Sequence, residues 1–375
     1  MHSSDFIIIG GGPAGSTCAR ALRRVGFSVT VIDKKSFPRD KTCAGWITPA
    51  VVESLDLDLE DYARHNTLQS LSGFITGMIG GQTTRIDYGH AVSYGIRRCE
   101  FDHYLLQRSD ATLIANTPVK SLKHEAGVWT VNASYSAPVL IGAGGHFCPV
   151  ARELGAKLGS QEPVVAAQEI EYEMTDLEAS CCPIEATIPE LYFCRDLKGY
   201  GWVFRKNNYL NIGLGRQDNH KLSVHVEEFI RNLQNQGRIP ETLNRKLAGH
   251  AYLLYGDAPR PLVGDGVLLI GDSAGLAYAQ SGEGIRPAVE SALFAAETLI
   301  SAAPDYSTAR LLPYVAKLEA RLGQRDRSHN LGWTRILPTR AKQWIAERLL
   351  ANSTFAKQVV LNRWFFHAQQ KSISP

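Results

Sequence analysis

The sequence predicts an α/β fold: a Rossmann-type domain with an inserted antiparallel sheet, followed by C-terminal helices. Three observations carry the prediction. A strand, a glycine loop, a helix and a second strand open the chain. A second strand runs into a Gly-Asp step near residue 270 and is followed by a long helical pattern. Between them lie short strand-like runs separated by turn residues.

Phe6-Ile7-Ile8-Ile9 is an unbroken apolar run, as a strand covered on both faces requires. Gly10-Gly11-Gly12-Pro13-Ala14-Gly15 follows at once. A helical stripe of Cys18, Ala19, Ala21 and Leu22 comes next and stops at Gly26. Val29-Thr30-Val31-Ile32 is the second strand, closing on Asp33 and Lys34. This is a βαβ unit of about thirty residues with an acid about twenty residues past the glycines. Gly10 permits the tight turn, Gly12 a close approach of backbone to pyrophosphate, and Gly15 close packing of helix on strand. The helix start, with Pro13 and Ala14, offers unpaired N–H groups to phosphate, and Asp33 suits a ribose diol. The unit specifies a dinucleotide and leaves FAD and NAD open.

Gly266-Val267-Leu268-Leu269-Ile270 is again an apolar strand, and Gly271-Asp272 ends it. Ser281-Gly282-Glu283-Gly284-Ile285-Arg286-Pro287 then opens a helix that continues through Leu293, Ala296 and Leu299. Pro287 fits the first turn, where a missing N–H costs nothing. Gly282, Gly284 and Ile285 leave N–H groups exposed to an anionic acceptor, and the pyrimidine edge of reduced flavin is one. Asp272 suits a ribityl hydroxyl. An ordinary strand–loop–helix crossover is the other reading of this segment.

With both segments in place, residues 5 to 300 resemble FAD-dependent oxidoreductases of the p-hydroxybenzoate hydroxylase structural class. Arg98-Cys99-Glu100-Phe101-Asp102 looks like the class's arginine ahead of a short helix. Within the class the chain is most similar to the geranylgeranyl reductase family. Lys41-Thr42-Cys43-Ala44-Gly45-Trp46 resembles that family's cysteine loop beside the flavin, with Thr42 and Ala44 in place of Pro and Gly. Tyr200-Gly201-Trp202-Val203-Phe204-Arg205-Lys206 resembles its Y-x-W-x-F-P-K segment, with Arg205 in place of Pro, and Asn211 to Gly215 continue the match. Gly142-Ala143-Gly144-Gly145 stands where related hydroxylases carry G-A-D-G, against an aromatic hydroxylase. Tyr200 and the missing Pro stand against a halogenase.

The resemblance implies FAD as cofactor, held by the residues above together with Cys43, Ala44, Gly45, Arg98 and Gly144. It implies reduction of carbon–carbon double bonds in an apolar, isoprenoid-like substrate by hydride from reduced flavin. Cys43, Tyr200 and Trp202 are the candidate catalytic residues. A single dinucleotide fingerprint leaves transient NAD(P)H or a protein donor as the reductant. Two alternatives remain: a flavin monooxygenase or oxidase acting on a natural product, which shares the fold and cofactor, and, of another class, a flavin-bound binder or electron carrier without turnover.

Residues 1–60, 90–160 and 255–305 are expected to form a discontinuous FAD-binding domain. Residues 61–89 and 161–254 are expected to form the substrate domain, and 306–375 a helical region. Strand-like runs at Val164–Ile170, Leu191–Phe193, Trp202–Phe204 and Leu210–Leu214 carry the inserted sheet. From Arg325 onward nine Lys or Arg stand against Asp326 and Glu347, interleaved with Trp333, Trp344, Phe355, Trp364, Phe365 and Phe366. One reading is a basic aromatic face on a membrane surface that carries the substrate; the other is a tail packing its aromatics on the domain.

Composition bounds the rest. A chain of 375 residues is long enough for two packed domains. A net charge of +3 gives no case for nucleic acid, and no motif asks for a metal. Seven scattered cysteines form neither a disulfide framework nor a zinc or cluster set, and the expectation is a reduced, cytoplasmic chain, membrane-associated only on the first reading of the tail.

Overall fold

The computed structural model describes residues 1–158, 162–218, 221–240, 246–257, 260–325 and 338–374. Its first layer is a six-stranded sheet in the order Val263–Gly264, Val267–Leu269, Val139–Gly142, Phe6–Ile9, Val29–Ile32, Thr112–Ile114. All neighbours are parallel except the Val263–Gly264 edge, which returns as a hairpin. Phe6, Ile7 and Ile8 are fully buried, so both faces of the central strand are covered. Helices Pro13–Arg24 and Ile285–Ala302 share one layer of this core, and Trp129, Val131 and Ala137 of a small four-stranded sheet also join it. Tyr314, on helix Thr308–Leu322, donates its buried hydroxyl to the Leu269 carbonyl at 2.6 Å.

The second sheet has seven strands: Ala248–Leu253, Val164–Glu173, Tyr209–Arg216, Gly199–Lys206, Glu190–Phe193, Gly73–Met78, Thr83–Asp87. The expected antiparallel order holds except at one pair. Glu190–Phe193 and Gly73–Met78 run parallel, because two segments far apart in the chain meet there with no hairpin to reverse them. The alternation in Gly199–Lys206 sorts its side chains. Val203 packs with Leu210, Ile212 and Leu214 against Phe229 of helix Leu222–Asn235. A Cβ on Gly201 would lie 2.6 Å from the Phe229 ring, so this face admits the helix only at a glycine. Trp202 and Phe204 face the other way, into a cluster with Trp46, Phe74, Phe365 and Phe366.

The C-terminal region is helical. Thr339–Leu350 is followed by the short helix Ser353–Phe355 and a π-helical segment, Ala356–Phe365. That segment delivers Phe365 onto Trp46, stacked at 5.3 Å, and Phe366 edge-on to Trp46 at 5.5 Å. Arg286, buried at the start of its helix, ties the segment down. It donates to the Phe366 carbonyl at 3.0 Å and the Gln370 carbonyl at 2.8 Å, while Glu290 pairs with it at 2.8 Å. Phe365 and Phe366 are therefore core residues. Trp344 is 60% exposed, and Trp333 and Asp326 lie outside the described residues. Among the described residues, no helix is long and apolar enough to cross a membrane.

Candidate active site at the sheet junction

The carboxyl ends of Phe6–Ile9, Val29–Ile32 and Val139–Gly142 open into a cavity of about 710 Å³ that continues under the seven-stranded sheet. Its end at the glycine loop is lined by Gly10, Gly12, Pro13, Ala14, Asp33, Lys34, Arg98 and Gly144. Cys43 and Ala44 line its middle, and Asp272, Gly282, Gly284 and Ile285 close the side nearest the long helix. Three other expected site residues, Gly15, Gly45 and Gly271, permit close approach behind the wall. A Cβ on Gly15 would stand 1.9 Å from the Gly10 carbonyl oxygen. On Gly45, with φ +67°, it would meet the Ile96 carbonyl oxygen at 2.1 Å.

The residues fit an FAD on several counts. Helix Pro13–Arg24 starts at Gly12 with no side-chain cap, so its first N–H groups face the cavity unpaired. Asp33 braces the loop from the next strand: its Oδ2 accepts from Gly11 N–H at 2.8 Å and its Oδ1 from Lys35 N–H at 2.9 Å. Arg39 adds positive charge beside Gly12 and reaches Asp102 at 3.2 Å. Arg98 is held in a fork by the same carboxylate, at 2.8 and 2.9 Å. The cavity wall thus offers glycine backbone, a helix start and fixed cations at one end, as a diphosphate requires.

The Cys43 loop is held by buried polar groups of the seven-stranded sheet. Cys43 N–H donates to Glu169 at 2.6 Å, and Asn211 Nδ2 donates to the Cys43 carbonyl at 3.3 Å. Asn211 is itself oriented by Trp202, whose indole N–H donates to its Oδ1 at 2.7 Å. Behind them Lys206, fully buried, pairs with Glu171 at 2.7 Å and donates to the Ile96 carbonyl at 2.9 Å. Burial pushes the Glu169 carboxyl up to about 7, while Cys43 N–H and Lys206 pull the other way. Trp202 has its polar atom turned to this network and its ring over Gly213, where a Cβ would lie 2.3 Å from it. Tyr200 likewise spends its hydroxyl on the Ser281 carbonyl at 2.6 Å. Both rings form wall, with Trp46, Tyr252 and Phe365, at the apolar end of the cavity.

Two features escape a reading of the sequence. His250 Nε2 stands between Lys41 Nζ at 2.7 Å and Asp272 Oδ2 at 3.3 Å. Burial would raise Asp272, but His250 and Lys41 hold it well below the usual carboxylate range. Burial, opposed by Asp272, lowers Lys41 to about 8. The strand alternation of Ala248–Leu253, with His250 and Tyr252 on one face, was the available signal. The second is Glu283. Its Oε1 accepts from Arg286 N–H at 2.7 Å, while its buried Oε2 has no hydrogen-bond partner among the described residues and lies in the cavity wall. Burial pushes this carboxyl up to about 7.

Residues 3–324 match a family described as FAD binding domain. The chain is 26% identical over 325 residues to digeranylgeranylglycerophospholipid reductase of Methanocaldococcus jannaschii, covering 83% of this chain and 81% of that protein. It is 29% identical over 326 residues to menaquinone reductase of Mycobacterium tuberculosis, covering 80% and 77%. In fold it is similar to a geranylgeranyl bacteriochlorophyll reductase-like protein of Thermoplasma acidophilum, with a TM-score of 0.79 at 20% identity over 97% of both chains.

Proposed function

The chain belongs to the FAD binding domain family, and we propose that it is an FAD-dependent reductase of carbon–carbon double bonds in an apolar, isoprenoid-like substrate. The observation that carries the reading is the cavity itself. One end is built for a dinucleotide, and the other is an aromatic wall of Trp46, Tyr200, Trp202, Tyr252 and Phe365. The reductase names of the relatives support the same chemistry.

When bound, the flavin supplies a two-electron carrier able to pass a hydride to an alkene carbon. The protein's own residues do the rest. Gly10, Gly12, Pro13 and the helix start would hold the diphosphate, Asp33 and Lys34 the ribose end, and Asp272 the ribityl chain. Gly282, Gly284 and Ile285 line the cavity at a helix start, whose N–H groups would stabilise negative charge on a reduced flavin. Tyr200 and Trp202 are positioning residues: each spends its polar atom on the protein and offers an apolar ring to the substrate. Cys43 lines the cavity, and Glu283, whose Oε2 has no hydrogen-bond partner among the described residues and whose carboxyl burial raises to about 7, donates the proton to the second alkene carbon. A single dinucleotide unit in the chain supports transient NAD(P)H or a protein donor as the reductant.

Helix Thr339–Leu350 presents Trp344 to solvent with the Arg348 guanidinium 5.2 Å from its ring, and Arg340 and Lys342 on the same element. This is the contact through which the protein meets the lipid surface carrying its substrate. Oxygen uptake tests the reading against its rival. The reduced holoprotein, given a polyprenyl substrate in air, is expected to consume no more oxygen than without it. Substrate-dependent uptake with an oxygenated or desaturated product would assign an oxygen-using reaction instead.

A further inference from the structure

A second cavity, of about 460 Å³, lies on the far side of helix Pro13–Arg24 from the dinucleotide end. Its walls are Thr17, Arg20, Ala21 and Arg24 from that helix, Leu293, Ala296 and Ile300 from helix Ile285–Ala302, and Leu105 and Arg108 at the end of helix Arg98–Gln107. Ile373 of the C-terminal stretch borders it, fixed there by its N–H donating to Ser54 Oγ at 3.1 Å. The floor is apolar and the rim is positive.

The positive charge is poorly compensated. Arg20 and Arg108 both donate to the Leu55 carbonyl, at 3.0 and 3.4 Å, so two guanidinium groups converge on one oxygen. Asp56, 3.5 Å from Arg20, is the carboxylate beside them, and its side chain is 63% exposed, where water screens it. Glu297, on the opposite wall, is engaged by Lys317 at 2.5 Å. Burial, then Arg108 and Arg24, lowers Arg20 from its ordinary value, the direction expected where cations face one another. A buried hydroxyl is also left over. Thr17, 6% exposed, has no hydrogen-bond partner for Oγ1 among the described residues, although its neighbour Ser16 donates to the Gly12 carbonyl at 2.6 Å. An anionic group at the rim would relieve the cations, and an apolar chain would fill the trough toward Leu293 and Ile300.

We propose that this cavity is a binding site for a single-chain amphiphile with an anionic head, a carboxylate or a phosphate. The head meets Arg20, Arg24 and Arg108, and the chain lies against Leu105, Leu293 and Ile300. The site is separate from the cavity of the proposed reaction, yet two of its walls are the helices whose first turns face the flavin site. An occupant would therefore be felt at both helix starts.

The test uses the FAD-loaded protein and calorimetric titration with decanoate, decyl phosphate and neutral decanol. Both anions are expected to bind saturably, and decanol at least about tenfold more weakly. Arg20→Gln and Arg108→Gln are each expected to weaken the anions by about tenfold, and Ile300→Glu, at a 37% exposed position on the rim, to do the same. Flavin absorbance and melting temperature identify any variant that has lost its fold, and Ile300→Glu carries the test if an arginine variant does. Tighter decyl phosphate assigns a phosphate head, and tighter decanoate a carboxylate; either supports the site. No saturable anion binding, decanol binding equal to the anions, or binding indifferent to the folded variants would overturn it.

Discussion

Replacing Glu169 with glutamine isolates the charge buried beneath the Cys43 loop. Glu169 is 5% exposed, and burial moves its carboxyl from an ordinary 4.5 up to about 7. The folded protein therefore holds this proton more tightly than the unfolded chain does. The stabilisation is fully present below about 4.5 and is lost as the pH rises through about 7. At about 1.4 kcal/mol for each pH unit, the two values correspond to about 3 kcal/mol in all. A glutamine Oε1 still accepts from Cys43 N–H but has no proton to lose, so this pH dependence disappears. The assay is urea unfolding of both proteins at a fixed excess of FAD, from about pH 5 to about pH 8.5. The stability of wild type relative to Glu169→Gln is expected to fall by about 2–3 kcal/mol across that range. A difference that stays constant with pH would mean that Glu169 titrates like a solvated carboxylate, and the buried brace for the Cys43 loop would be refuted.

Gly15→Ala puts a Cβ 1.9 Å from the Gly10 carbonyl oxygen, so the first helix must move off its strand. The protein is expected to purify without flavin absorbance while keeping its circular dichroism, and FAD retained at wild-type occupancy would contradict this. Phe365→Ala removes the ring stacked on Trp46 and edge-on to Tyr200, and about 3–5 kcal/mol of stability should go with it in chemical unfolding. A loss below about 1 kcal/mol would show that the C-terminal segment is not part of this core. Trp344→Ser, at an exposed position, should leave the melting temperature unchanged and reduce cosedimentation with vesicles containing anionic phosphatidylglycerol. Unchanged sedimentation would remove the proposed membrane contact.

Local geometry made the strand–glycine loop–helix–strand unit legible in the sequence. Gly10, Gly12, Gly15 and Asp33 fall within one βαβ unit, where Asp33 accepts from Gly11 N–H and Gly15 has no room for a Cβ. Gly282 and Gly284 were legible for the same reason, as the approach to a helix start. The alternation of Tyr200, Trp202 and Phe204 announced one face of a sheet, and the structure turns that face inward. What could not be read depends on pairing between distant strands. Glu171 faces Asn211 across an antiparallel register, and this brings Glu169, Asn211 and Cys43 together. Carboxylates inside an apolar strand signal buried partners without naming them. His250 reaches Asp272 only because Ala248–Leu253 adds to the edge of Val164–Glu173. Phe365 and Phe366 enter the core where Arg286, about eighty residues earlier, holds the Phe366 carbonyl. Basic and aromatic composition alone gave no way to separate them from Trp344.

The most direct measurement is anaerobic. The FAD-loaded protein is reduced with dithionite, freed of excess reductant, and mixed without oxygen with geranylgeranyl diphosphate or a menaquinone. The flavin absorbance is followed, and the product is weighed by mass spectrometry. The oxidised flavin spectrum is expected to return, with a product heavier by one or more H2. A flavin that stays reduced with every polyprenyl substrate, and is reoxidised only when air is admitted, would contradict it.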